Sequence, residues 1–135
     1  MSEFENKSSQ NIIAAQVLIE EALFAPSIHC SYYSCLQLCK HVLKYIIKIS
    51  DQQIKDELGK PNLKSHELIR EGILDNLKGK LNDKEYMNFN STFNSLKRSR
   101  EMADYTETDI RRELAMESVE KSKSLAAIIK RQYGT

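Results

Sequence analysis

Apolar residues recur along most of this chain at intervals of three and four, which is the spacing of residues on one face of an α-helix. Short polar segments, or segments with Gly or Pro, separate the apolar stretches. No stretch shows the alternation of apolar and polar residues that is typical of β-strands. The pattern predicts an all-α fold, an antiparallel four- to five-helix up-and-down bundle. The predicted helices cover approximately residues 9–24, 26–49, 65–75 and 83–103, with a turn or two over 51–58 and a last helix capped within 106–109 and ending near 133.

The second predicted helix is apolar on two adjacent stripes, so it is expected to be the central helix of the bundle. Lys40 lies between Leu36 and Leu43 on one of these stripes. Its ammonium group either extends outward along its methylenes or meets a carboxylate inside the bundle. In the first helix, Ile13 and Val17 are among the residues expected to be buried. The other stripe of the second helix consists of Ile28, Tyr32, Cys35, Cys39, Val42, Ile46 and Ile49.

The length of 135 residues fits one domain, in which residues 1–8 are expected to form a flexible N-terminal segment. Twenty basic and nineteen acidic residues leave a formal charge of +1, so bulk charge does not favour non-specific binding to nucleic acid. The chain has no glycine-rich phosphate loop, and no cofactor is expected. No apolar run reaches the ~18 residues of a membrane span and the first residues do not resemble a signal peptide, so a cytoplasmic protein is expected.

Three cysteines and two histidines lie close together in the second predicted helix, as a zinc site would require. The spacing lacks a Cys-x-x-Cys pair, and Cys35 and Cys39 fall on the apolar stripe as small core residues do. No metal site is therefore predicted, and Cys30, Cys35 and Cys39 are expected to be reduced thiols. His29 lies near the helix start and His41 lies off the stripe, so both are expected at the surface.

Arg100 occupies a position where the helix before it predicts an apolar residue. Arg98 lies about 200° away around the helix, at ~100° per residue, and should face solvent while Arg100 faces the core. A buried guanidinium needs an anion, and Asp104 at i+4 is the nearest acidic residue. The pair is either a structural clamp or part of a phosphate site. The residues that share the face of Arg100 are Tyr86, Phe89, Phe93, Leu96 and Ala103.

Three segments in this order resemble the HEPN superfamily (higher eukaryotes and prokaryotes nucleotide-binding), whose members are small domains of four to five helices. They are Ser31–Cys35 followed by Lys40, then Ser65-His66 at a helix start, then the Arg-x-x-Ala-Asp-Tyr motif of 100–105. With the helices around them they cover about 10–133. The resemblance implies either a metal-independent ribonuclease or a partner of a minimal nucleotidyltransferase in a toxin-antitoxin pair, and it implies a homodimer.

The ribonuclease motif of that superfamily is an arginine, four to six arbitrary residues and a histidine, and this chain lacks that histidine. Counting from Arg100, the positions for it hold Tyr105, Thr106 and Glu107. Cleavage through the 2′-hydroxyl of RNA needs a proton acceptor, a proton donor and a cation near the phosphate. His66 is the only imidazole expected near enough to replace the missing one, and it is otherwise a cap or a packing group.

Three functions follow from these observations. The first is a nucleotide- or protein-binding module without strong catalytic activity, in which Arg100, Asp104 and Tyr105 form a polar cluster, with Lys40 and His66 as further candidates. Its partner would be a nucleotidyltransferase-type protein, a nucleotide or RNA. The second is a ribonuclease toxin that uses Arg100 and His66. The third is a structural helical adaptor in which Arg100 and Asp104 are an internal clamp.

Overall fold

A computed structural model describes residues 1–135 and contains six α-helices and no strand. The prediction of an all-α helical bundle is confirmed. None of the helices combines the length and the apolar character that a membrane span requires. The helices are α1 (Glu3–Glu20), α2 (Phe24–His41), α3 (Asp51–Leu58), α4 (Ser65–Leu77), α5 (Asp83–Tyr105) and α6 (Arg112–Tyr133), and a π-helical segment (Val42–Ile47) continues α2.

The helices α1 and α2 pack side by side in opposite directions. Ser8 on α1 donates its hydroxyl to the carbonyl of Ser34 at 2.7 Å, and Ser27 on α2 donates to the carbonyl of Ala15 at 2.7 Å. Small buried residues at these positions let the two helix backbones approach closely. α2 also contacts α4, α5 and α6, which confirms the prediction that it is the central helix.

The helices α5 and α6 are antiparallel as well. Lys121 on α6 donates to the hydroxyl of Ser95 at 2.7 Å, and Arg131 near the end of α6 pairs with Glu85 near the start of α5 at 2.8 Å. The long helices are α1, α2, α5 and α6. The shorter helices α3 and α4 lie between α2 and α5 in the sequence. α4 contacts α2, α3 and α5, so this shorter segment packs beside the long helices.

The N-terminal residues differ from the prediction of a flexible segment. α1 begins at Glu3 because Ser2 and Glu5 form a capping box, which satisfies backbone N–H groups of the first turn. The hydroxyl of Ser2 also contacts Nδ1 of His41 at 2.7 Å. His41 is consequently buried, and its predicted surface location is wrong.

The structure also contradicts the prediction that Ile13 and Val17 of α1 are buried. Ile13 is 59% exposed and Val17 is exposed as well, whereas the buried residues of α1 are Ser8 and Ala15. α1 presents its small polar side to α2 because tight helix packing favours small side chains there over large apolar ones. Hydrophobicity alone therefore pointed to the wrong face.

The boundaries of α2 differ from the predicted ones at both ends. Ala22 adopts a left-handed backbone, φ 57°, and ends the turn after α1, so α2 begins at Phe24 and Pro26 lies inside its first turn. At the other end, the π-helical segment changes the number of residues per turn. Ile46 is therefore exposed, although the 4-3 spacing placed it on the buried stripe.

α5 follows its predicted stripe, and α6 starts later than predicted. Asn82 caps α5 through its side chain, and Phe89, Phe93 and Leu96 are fully buried. α6 starts at Arg112, a few residues after the predicted cap, because residues 106–111 form an irregular connection before it. The buried residues of α6 are Ala115, Ser118, Val119, Ser122, Leu125 and Ile129.

Candidate functional site

Arg100 continues the buried stripe of α5 beyond Phe93 and Leu96. Its side chain is only 6% exposed, whereas Arg98 on the same helix is exposed. The predicted orientation of the two arginines is therefore confirmed. A guanidinium remains charged at any physiological pH, so α5 carries a positive charge into the protein interior at this point.

Three tyrosine rings surround the guanidinium of Arg100. Its Cζ atom lies 4.8 Å from the ring centroid of Tyr32, 5.3 Å from that of Tyr105 and 5.9 Å from that of Tyr33. Ring faces attract a cation and also exclude water from it. Nη1 donates a hydrogen bond to the Tyr105 hydroxyl at 3.0 Å, while Nε is buried and has no hydrogen-bond partner.

Asp104 is the only carboxylate within ion-pair distance of this guanidinium. Its Oδ2 lies 3.6 Å from Nη1 of Arg100, which confirms the predicted pair, and the same oxygen lies 2.8 Å from Nδ1 of His29. His29 is exposed, as predicted, and it shares Asp104 with Arg100. At 3.6 Å the carboxylate forms an ion pair with Arg100 but no hydrogen bond, so it compensates the charge of Arg100 only partly.

His66, in the first turn of α4, touches Arg100 directly. Its Nδ1 lies 3.4 Å from Nη2 of Arg100 and 3.2 Å from the hydroxyl of Tyr32. Because a guanidinium can only donate, Nδ1 must accept, and the ring proton of the neutral imidazole is on Nε2. Burial lowers the pKa of His66, and the charges of Arg100, Lys40 and Lys97 lower it further. Burial also raises the pKa of Tyr32 to about 12, so its hydroxyl keeps its proton.

An open cleft of about 420 Å³ lies over this cluster, between the first turn of α4 and the last turns of α5. Tyr105 lies at the edge of this cleft with 74% of its surface exposed. Its hydroxyl accepts from Arg100 and keeps its own hydrogen for a ligand. Lys64 and Lys97 also line the cleft, and Lys97 pairs with Glu101 at 3.6 Å.

The structure brings together four of the five predicted site residues. Arg100, Asp104, Tyr105 and His66 form one contiguous cluster, whereas Lys40 lines a neighbouring cleft. Lys40 meets no carboxylate, and its ammonium group lies over the ring of Phe4. It affects the cluster only through its charge.

Sequence reasoning missed the roles of Tyr32, Tyr33 and His29. Tyr32 and Tyr33 belong to the segment that resembles the HEPN superfamily, and Tyr32 lies on the buried stripe of α2. The position of its hydroxyl beside His66 depends on how α2 packs against α4 and α5. His29 is one turn before Tyr33 on α2, and no sequence signal connects it with Asp104, 75 residues away.

None of the cysteines forms a hydrogen bond with this cluster, although burial and then the charge of Asp104 raise the pKa of Cys30. Cys35 and Cys39 are buried, as predicted, and the three thiols are free. A hydrogen bond that the Cys39 thiol donates to Cys35, together with burial, raises the pKa of Cys39 well above its usual value, so this thiol stays protonated. No three His, Cys, Asp or Glu side chains are grouped so as to hold a metal ion.

The cluster offers hydrogen-bond donors and positive charge, but no free general base. Arg100 supplies the cation, and Nε2 of His66 and the Tyr105 hydroxyl supply neutral donors. Asp104 is engaged with two cationic or donor groups, and the lone pair of Nδ1 in His66 is directed at Arg100 and Tyr32. Comparisons with protein-family models, with curated proteins and with solved structures find no match, so the HEPN resemblance stays a prediction.

Proposed function

We propose that this protein is an HEPN-like binding module that holds the phosphate of a nucleotide or RNA in the cleft over Arg100, without strong catalytic activity. The observation that carries the proposal is the incomplete compensation of Arg100. Its single carboxylate partner is 3.6 Å away and is shared with His29, and Nε has no acceptor. A buried charge held in this way is stabilised further when an anion binds beside it.

The surroundings of Arg100 support an anionic ligand in preference to a cationic or neutral one. The cleft lining holds three basic residues, Lys64, Lys97 and Arg100, against two acidic ones, Glu67 and Glu101, and the neutral His66 presents an N–H group instead of a carboxylate. The tyrosine rings hold the guanidinium in place before the ligand arrives, which reduces the entropy lost on binding. A phosphate accepts several such donors at once, so it matches this set well.

The resemblance supplies the partners in this proposal. The module would form a homodimer and would pair with a minimal nucleotidyltransferase in the cytoplasm, as members of the HEPN superfamily do. In a two-fold symmetric dimer, each copy presents the same surface to the other. The exposed Tyr105 is at the edge of the cleft and is available to such a partner.

The contact between His66 and Arg100 favours one alternative, a ribonuclease toxin. The lowered pKa of His66 leaves its imidazole unprotonated at neutral pH, as a general base must be. However, the ring lone pair is on Nδ1, and it already accepts hydrogen bonds from Arg100 and Tyr32. His66 therefore serves better as a donor than as a base, and we rank the binding module above the ribonuclease.

Two measurements test the proposal with wild type, Arg100→Ala and the matched control Arg98→Ala. We expect AMP to bind wild type and Arg98→Ala equally, and Arg100→Ala at least about tenfold more weakly, measured by isothermal titration calorimetry. Equal affinity in all three proteins, or no binding to any of them, would contradict the proposal, and the latter would favour the structural adaptor.

The second measurement is RNA cleavage at neutral pH by wild type, Arg100→Ala and His66→Ala. We expect intact RNA with all three proteins, because both acceptors in the Arg100 cluster, the Asp104 carboxylate and Nδ1 of His66, are already engaged. Cleavage by wild type that both substitutions abolish would replace the binding module with the ribonuclease. Cleavage that survives both substitutions would indicate a contaminating enzyme.

A further inference from the structure

A second cleft, separate from the one over Arg100, lies on the other side of the first turn of α4. It encloses about 480 Å³, which is within the range of small-molecule sites. Its floor is apolar and comes from Leu43, Leu68 and Ile69, which are all buried. Ser65 lines both clefts, but none of the basic residues is shared between them.

Two lysines form the polar side of this second cleft. Lys40 and Lys44 are one helical turn apart on α2 and its continuation, and their ammonium groups lie 5.9 Å and 5.8 Å from the ring centroid of Phe4. Neither lysine forms an ion pair. Asp51 is the single acidic residue in the lining, so the cleft carries excess positive charge beside an apolar floor.

The irregular end of α2 shapes this cleft. Leu43 and Lys44 belong to the π-helical segment, and such segments are rare and are frequent at functional sites. Lys48 then adopts a left-handed backbone, φ 59°, and reverses the chain so that the N–H of Ile49 donates to the carbonyl of Leu43 at 3.1 Å. Ile49 is thereby brought to the wall of the cleft.

We propose that this second cleft binds a small organic anion with an apolar body. The apolar body would lie on Leu43, Leu68 and Ile69, which removes apolar surface from water. The anionic head group would lie between Lys40 and Lys44, neither of which is held in an ion pair. The proposal does not depend on the function of the Arg100 cleft, because the two clefts use different charged residues.

Two matched probes test this proposal. 1-Anilinonaphthalene-8-sulfonate carries an aromatic body and a sulfonate, and N-phenyl-1-naphthylamine has the same body without the charge. We expect the sulfonate to bind wild type about tenfold more tightly than the neutral compound in fluorescence titrations, because only the sulfonate gains from the lysines. Equal affinity of the two probes for wild type would overturn the proposal.

Variants of Lys40 and Lys44 test whether these two lysines cause the difference in affinity between the two probes. In Lys40→Gln/Lys44→Gln the sulfonate should lose about tenfold in affinity while the neutral compound binds as before. The control is Lys84→Gln, which removes an exposed lysine of α5 that lines neither cleft and should change neither affinity. An unchanged sulfonate affinity in the double variant would overturn the proposal, as would an equal loss in the control.

A third measurement locates the probe and does not depend on the double variant being folded. Amide chemical shifts of isotopically labelled wild type should move at Leu43, Ile49 and Ile69 when the sulfonate is added. Shifts concentrated around Arg100 and Tyr105 instead would place the probe in the other cleft and refute the proposal. The single variant Lys44→Gln, whose side chain is exposed, serves if the double variant does not fold.

Discussion

Replacing Arg100 by alanine should destabilise this protein much more than replacing Arg98 by alanine. The two substitutions remove the same side chain from the same helix, two residues apart, so they differ mainly in what the side chain contacts. Arg98 is exposed and forms no ion pair, and loss of such a residue changes the free energy of unfolding by less than ~0.5 kcal/mol. Arg100 is 5% exposed and contacts tyrosines on two helices.

The expected loss for Arg100→Ala follows from its contacts. The desolvated interaction with the Tyr32 ring at 4.8 Å is worth about 2 kcal/mol. The hydrogen bond from the charged Nη1 to Tyr105 at 3.0 Å adds about 1.5 kcal/mol. Removal of the buried Nε, which has no partner, offsets roughly 1–2 kcal/mol of this sum. The net loss is therefore about 2 kcal/mol.

This magnitude is smaller than the ~3–5 kcal/mol that follows from breaking a fully buried ion pair. The reason is that Asp104 is not left alone when Arg100 is removed. Its side chain is 19% exposed and keeps the contact with His29 at 2.8 Å. Because a domain of this size has a free energy of unfolding of ~5–15 kcal/mol, Arg100→Ala should remain folded and usable in binding experiments.

Urea denaturation at pH 7, followed by helical circular dichroism and linear extrapolation, measures these differences. Arg100→Ala should unfold at a clearly lower urea concentration than wild type, whereas Arg98→Ala should not. A third variant, Arg100→Lys, keeps the charge but not the planar fork, and should fall between wild type and alanine. A difference between the two alanine variants below ~0.5 kcal/mol, or a larger loss for Arg98→Ala, would refute the assigned contacts.

Two further predictions concern pH and the N-terminus. Because the pKa of His66 is lower in the folded than in the unfolded chain, unfolded protein binds more protons as pH falls through ~6.5, and stability falls with it. Between pH 7.5 and pH 5.5 the melting temperature should therefore fall less for His66→Gln than for wild type. An equal fall in both proteins would contradict this. Ser2→Ala should cost ~1 kcal/mol in thermal unfolding through loss of its cap, and an unchanged melting temperature would mean that the cap contributes nothing.

Local sequence rules are sufficient to locate a helix end where the residue at that end is of a type that commonly caps or terminates helices. Asn82 caps α5, and Gly59 ends α3 with a left-handed backbone, as these residue types commonly do. The rules failed where a neighbour determined the outcome. Ile13 is exposed because α1 packs through small residues, and His41 is buried because it contacts Ser2 on α1, 39 residues away.

The candidate site also combines features that local sequence rules predict with features that depend on neighbouring helices. The burial of Arg100 and its pairing with Asp104 follow from a spacing of three and four along one helix, since residues at that spacing share a face whatever the rest of the chain does. His66 was identified only as a candidate. Its contact with Arg100 requires α4 to lie against α5, and no local pattern specifies that distance.

The sequence by itself determined the helical class, the central position of α2 and the inward direction of Arg100, because all three depend on periodicity within single helices. Only the tertiary structure decided which groups complete the site. The contacts of Arg100 with the Tyr32 and Tyr33 rings, the sharing of Asp104 with His29 and the acceptor role of Nδ1 in His66 all join separate helices. The lysine-lined second cleft likewise arises where α1, α2, α3 and α4 meet, and helix packing, which depends on the whole set of side chains at once, is what forms it.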